Sequence, residues 1–243
     1  MKSGWPIFQK MCWEICKRRF PNSLIIHDVI STTVTEYYGR FPSIPVELND
    51  EILSFMEKAS SDKKNDFQPD IGIYEIEDVV KLWNGKNIPY TNAMLNKDIL
   101  KEIMSRRRQW WVFDETAPSR WEKDLKKKGY SIKIKKGARP IIIDTKSHEK
   151  NIRWGEIEKL QADAYMCGAK KCYIIKKCSA KIQGDFELET CKIRVPAKYR
   201  SNFKNYIDFV QIKSYVPPKI ISRKVFWEKY GEYFKKYDVE YYK

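Results

Sequence analysis

The stretch KGARPIIIDTK, residues 136–146, limits what this chain can become more than any other. A Gly- and Pro-containing turn leads into three consecutive isoleucines, a short and almost wholly apolar run that suits a strand covered on both faces. Residues 154–166, WGEIEKLQADAYM, set Ile157, Leu160, Ala164 and Tyr165 broadly along one side of a helix, and Gly168 marks its stop. KKCYIIKK then reads as a strand again. Strand, helix and strand in that order, with a connection of that length, form a βαβ-like crossover. The expected class is therefore α/β, with a central mixed sheet flanked by helices.

Around this unit the periodicity predicts an amphipathic helix over 5–18 and a second helix in LIIHDVISTTVTEYYGR, closed by Gly39. A short helix capped by Asn49 or Asp50 is expected to follow, then a strand in PDIGIYEI with Asp70 at its start. Further expectations are a helix from Asn96 to Arg108, a strand near 189–195, a helix near 197–209 and a C-terminal helix from about Arg223. No repeat or Gly/Ser linker divides the chain. Residues 1–243 are read as one domain with an inserted helical and basic segment at 77–136.

Lysine and arginine total 47 against 32 acidic residues, a formal charge of +15 and a pI of about 9.4. Such a balance favours a polyanionic partner. No apolar stretch approaches the ~20 residues that span a bilayer, and no signal-peptide core is recognisable. The expectation is a soluble intracellular protein without a membrane partner, its six cysteines reduced. The sequence lacks a Walker-type glycine loop and has only two histidines, which disfavours ATP hydrolysis and acyl transfer.

Hydrolysis of a phosphodiester needs carboxylates to hold a divalent ion and a positive group beside the scissile phosphate. Asp144 and Lys146 stand at i and i+2 at the end of the isoleucine strand and share a face, while Thr145 points the other way.

Pro69-Asp70 opening one strand, Ile141 to Lys146 forming the next, and Gln161 to Tyr165 on the following helix resemble the PD-(D/E)XK nuclease superfamily, over residues 66–76 and 138–178. The resemblance implies a restriction-endonuclease-like core in which Asp70 and Asp144, with Thr145, hold Mg2+ or Mn2+ and Lys146 positions the attacking water. It implies that Gln161 and Tyr165, the Q-x-x-x-Y pair of the RecB and Cas4-like branch, face the nucleic acid. It also implies a further acid from a preceding helix, Glu36 or Glu14. The two acid motifs lie farther apart than is usual in the family, and Asp114 is a rival to Asp70.

Arg106, Arg107, Arg108, Lys126, Lys127, Lys128 and His148 are expected to meet phosphates. The spacing of Cys12, Cys16, Cys167, Cys172 and Cys178 does not match the iron–sulfur pattern of Cas4-like nucleases, so no cluster is expected. The expected activity is a metal-dependent deoxyribonuclease, working as a homodimer and of a viral, plasmid or restriction-system kind. The alternatives are a non-catalytic nucleic-acid-binding protein and an RNA endonuclease in which His27 helps to bind metal.

Overall fold

A computed structural model describes residues 5–21, 23–27, 46–54, 69–75, 77, 79–83, 86–89, 131–134 and 138–236. Its centre is a six-stranded mixed sheet built from β1 (Ser23–His27), β2 (Ile71–Glu75), β6 (Ile141–Lys146), β7 (Lys171–Lys177), β8 (Leu188–Arg194) and β9 (Tyr206–Ile212), in the order β1-β2-β6-β7-β9-β8. Only β6 and β7 run parallel, with Ile141 opposite Lys171 and Lys146 opposite Lys176. The helix between them, α2 (Trp154–Met166), is the crossover that parallel neighbours require. The protein is thus α/β, with a mixed sheet flanked by helices.

The apolar run earns its place by being buried on both sides. Ile142 packs with Ile174, Val210 and Ile212 against Ile157, Leu160 and Ala164 of α2. Ile141 and Ile143 pack with Ile71, Ile73, Ile175 and Phe209 against Phe8, Met11, Cys12, Ile15 and Cys16 of the first helix, α1 (Trp5–Arg19). The buried α1 positions recur at three and four residues, and Lys17, Arg18 and Arg19 complete its last turn, where positive charge suits the helix dipole. Ile7 is 41% exposed, and the buried face centres on Phe8, Met11, Cys12 and Cys16.

α2 stops where Gly168 takes φ 60, with the Gly168 and Ala169 amides donating to the Tyr165 and Ala164 carbonyls. That is the Schellman arrangement, and its left-handed residue favours glycine. The outer side of α2 carries Ala162 and Met166, which pack with Val46, Leu48, Ile52 and Phe226 of the C-terminal helix α3 (Arg223–Lys236). Asn49 Oδ1 accepts from the Ile52 amide at 2.8 Å and caps the short helical turn that follows it.

Three expectations change. Residues 24–27 are not helical: Ser23–His27 forms β1, antiparallel to β2. No helix spans 197–209; a 3-10 turn at Ala197–Tyr199 leads to β9, which lies between β7 and β8 and is buried over Ile207–Val210. Over 77–136, read as helical, the described residues form a separate antiparallel sheet of β3 (Val79–Trp83), β4 (Lys86–Pro89) and β5 (Ser131–Ile134), ordered β4-β3-β5. In each case pairing with a neighbouring strand, invisible to a local pattern, decides the conformation. The helix read over Asn96–Arg108 lies outside the described residues. Among the described residues no helix is long and apolar enough to cross a membrane.

Ile142 is fully buried between the sheet and α2. Ile142→Ala is expected to cost about 2–5 kcal/mol, read as a lower urea midpoint with an unchanged m-value.

Candidate functional site

Because Ile71 lies opposite Ile143, the antiparallel register of β2 and β6 carries Asp70 to the position facing Asp144. Directly opposed side chains on adjacent strands stand only about 4.5–5.5 Å apart. Two acids distant in sequence therefore meet at the carboxyl end of the parallel pair, the end where open α/β sheets place their ligands.

Asp70 is buried, and both its oxygens are held. Oδ1 accepts from Gln9 Nε2 of α1 at 2.8 Å. Oδ2 accepts from the Thr145 amide at 2.7 Å and from the Thr145 hydroxyl at 2.6 Å. The same amide is shared with Asp144 Oδ1 at 2.9 Å. Lys146 Nζ lies 2.7 Å from Asp144 Oδ2 and 3.4 Å from Glu156 Oε1, in the first turn of α2. His148 Nε2 stands 3.7 Å from the same Glu156 oxygen.

These contacts separate the two acids electrostatically. Burial and the adjacent Asp144 carboxylate push Asp70 well above the ordinary carboxylate range. For Asp144 burial acts upward too, but Lys146 and the bond with Asp70 outweigh it and its pKa falls. Burial disfavours the Lys146 charge, yet Asp144 overcomes that and raises the ammonium's pKa. The two acids are thus held unequally, Asp70 shifted towards its neutral form and Asp144 towards its charged form beside Lys146.

Asp163, on the flank of α2 nearest the site, is a further buried acid. Its Oδ2 meets Lys159 Nζ at 3.0 Å, while Oδ1 is buried and accepts no hydrogen bond among the described residues. Burial, partly offset by Lys159, raises its pKa to about 6, and the Asp144 charge adds to the rise.

The donor set suits a hard divalent cation. Magnesium keeps most of its waters and takes one or two carboxylates from the protein. Asp70 and Asp144 repel each other unless a proton or a cation lies between them, and they offer oxygen without imidazole or thiolate. Among the described residues no group of three or more His, Cys, Asp or Glu side chains could hold a metal ion, and Asp70 and Asp144 form a pair. Thr145, read as a metal residue, is a double donor to Asp70 and has a positioning part here.

No family model matches the chain, and neither the curated proteins nor the solved structures gave a match.

Of the other residues singled out in the sequence, Gln161 and Tyr165 do not join the acids. Each lies two positions from Asp163, about 200° round a helix of 3.6 residues per turn. They line a cavity of about 280 Å³ with Asn49, Ile52 and residues 214–219, and the Tyr165 hydroxyl donates to the Glu47 carbonyl at 2.8 Å. The structure thus places Gln161 and Tyr165 at this cavity, and no hydrogen bond among the described residues links them to Asp70 or Asp144. Glu14 is held by Lys198 and by the Tyr199 hydroxyl, each at 2.8 Å. Glu36, Asp114, Arg106, Arg107, Arg108, Lys126, Lys127 and Lys128 lie outside the described residues. The backbone of His27 is in β1 rather than a helix. Cys12 and Cys16 pack on the α1 side of the sheet and Cys167 and Cys172 on the α2 side.

Three contributors escaped the sequence reading: Gln9, Glu156 and Asp163. Gln9 and Asp163 did leave a signal, since each is a polar residue on an otherwise apolar helix face.

For Asp163 the folded-state pKa of about 6 exceeds the reference value of 3.8, so the fold favours its neutral form. Its contribution is fully present below about pH 4 and is lost as the pH rises through about 6. Asp163→Asn, neutral throughout, is expected to match the parent near pH 4 and to be more stable above pH 6, by an amount on the order of 3 kcal/mol. Urea denaturation across that range measures the difference.

Proposed function

We propose that this protein is a metal-dependent nuclease of the PD-(D/E)XK type that hydrolyses DNA phosphodiester bonds. The observation that carries the reading is the meeting of Asp70 and Asp144 across two strand ends, with the Lys146 ammonium 2.7 Å from Asp144. A mixed sheet whose parallel pair is joined by a helix, with this trio at its carboxyl end, fits a restriction-endonuclease-like core.

In this reading Asp70 and Asp144 bind Mg2+ or Mn2+, and the bound ion supplies Lewis-acid chemistry at the scissile phosphate. Lys146 has two tasks. Its ammonium donates to the attacking water and so orients it, and its charge offsets the negative charge that grows on the phosphate oxygens. Asp144 and Glu156 fix the position of that ammonium from two sides. Thr145 and Gln9 fix the Asp70 carboxylate and leave its rotamer no freedom. Such preorganisation removes reorganisation cost at the moment of reaction.

The test is cleavage of supercoiled plasmid, single-stranded DNA, a four-way junction and RNA with magnesium or manganese. Wild type is expected to cut DNA only with metal, and Asp144→Ala and Lys146→Ala are each expected to lose at least about 10²-fold in rate. Absence of metal-dependent cutting of every substrate by wild type overturns the proposal and leaves a nucleic-acid-binding protein. Cutting of RNA alone moves the substrate to RNA.

A further inference from the structure

The end of the sheet that holds the two acids also carries a charged row that begins at Lys146 of the catalytic trio and continues through residues the trio does not use. In register across four strands, Lys146 lies beside Lys176, Lys176 beside Asp208, and Asp208 beside Lys192. With strands about 4.8 Å apart, the row spans about 14 Å. By strand alternation all four sit on the α2 face, and one pair farther along that face Arg194 stands opposite Tyr206.

The chemistry of the row is uneven in a telling way. Asp208, its one acid, is buried and neutralised by Lys176 Nζ at 2.6 Å. Lys192 and Arg194 are exposed and form no salt bridge among the described residues. Nearby lysines differ: Lys177 meets Glu149 at 3.7 Å and Lys213 meets Glu189 at 3.2 Å. Tyr206 is 50% exposed and offers a ring surface directly beside Arg194. Two cations without a salt bridge among the described residues, beside an exposed ring and with the row's own carboxylate already neutralised, have the composition of a surface that follows a sugar–phosphate backbone and stacks a base.

We infer that a single-stranded nucleic-acid segment leaves the Asp70–Asp144 site across β7 and β9 toward β8, with its phosphates on Lys192 and Arg194 and one unstacked base on Tyr206. The substrate identity rests on the nuclease reading, but the track is tested without metal, so the two can fail separately. Phosphates and bases are common to DNA and RNA, and parallel oligomers separate the two.

The experiment is fluorescence anisotropy of the full chain with a fluorescein-labelled 20-residue oligothymidylate in EDTA, beside an oligouridylate and an abasic oligomer of equal length. Lys192→Glu with Arg194→Glu is expected to weaken binding at least about tenfold. It is also expected to flatten the dependence of log K on log salt by about 1.4, two contacts at ~0.7 each. Tyr206→Ala is expected to weaken oligothymidylate binding about tenfold and leave the abasic oligomer unchanged. Lys171→Glu with Lys213→Glu makes the same change of net charge at the opposite end of the sheet and is expected to change affinity less than twofold. The tighter of the two base-bearing polymers identifies the strand the track serves. Equal weakening by both double variants, or loss on Tyr206→Ala that is the same with and without bases, overturns the track. If binding follows the expected pattern while no substrate is cut with metal, the track stands and the nuclease reading falls.

Discussion

Two carboxylates cannot share the end of a sheet unless something holds them there, and in this protein that something is the backbone and hydroxyl of Thr145. One residue donates twice to Asp70 and once to Asp144, from a strand whose alternation turns Thr145 to the α1 side and its two charged neighbours to the α2 side. Gln9 reaches Asp70 from α1, and Lys146, braced by Glu156 of α2, neutralises Asp144. Buried carboxylates without such partners would cost several kcal/mol each. The requirement reaches outward: β2 must adjoin β6 in a single register, and both helices must approach the strand ends closely enough to supply their polar side chains. Much of the sheet's order can be read as the condition for that meeting.

What could be read beforehand was whatever depended on near neighbours in sequence. The isoleucine run, the α2 periodicity with its terminal glycine and the C-terminal helix are local patterns, and the structure has them where the pattern puts them. β1 and β9 are different. Ile207, Val210 and Gln211 can be spaced along a helix as well as along a strand, and pairing with β7 and β8 settles the matter. The site divides the same way. Asp144 and Lys146 are two residues apart on one strand, so their shared face follows from the pleat. Gln9 and Glu156 belong to the site only because helices lie where they do, and the side of α2 on which Gln161 and Tyr165 fall depends on how that helix is rotated about its axis.

α2 consequently serves three neighbours at once. Leu160, Ile157 and Ala164 hold it to the sheet, Glu156 and Asp163 border the acids, and Ala162 and Met166 meet the layer formed by residues 46–52 and α3. Its length and its stop at Gly168 position all three sets together. A change of rotation that improved any one of them would displace the others, which makes this helix the least adjustable part of the fold.

The bond between Asp70 and Thr145 joins positions 75 apart in the chain. In the unfolded chain, closing a loop costs only about 0.6 kcal/mol more for each doubling of its length, so the separation in sequence adds little to the cost of bringing the two residues together. The order of events during synthesis is less forgiving. As the chain leaves the ribosome, Asp70 emerges long before its hydroxyl and amide donors, and until residues 141–146 pair with β2 it is an ordinary solvated carboxylate. The paired acids can exist only after the most distant contacts in the sheet have formed, so a half-made protein carries two separate carboxylates and no site.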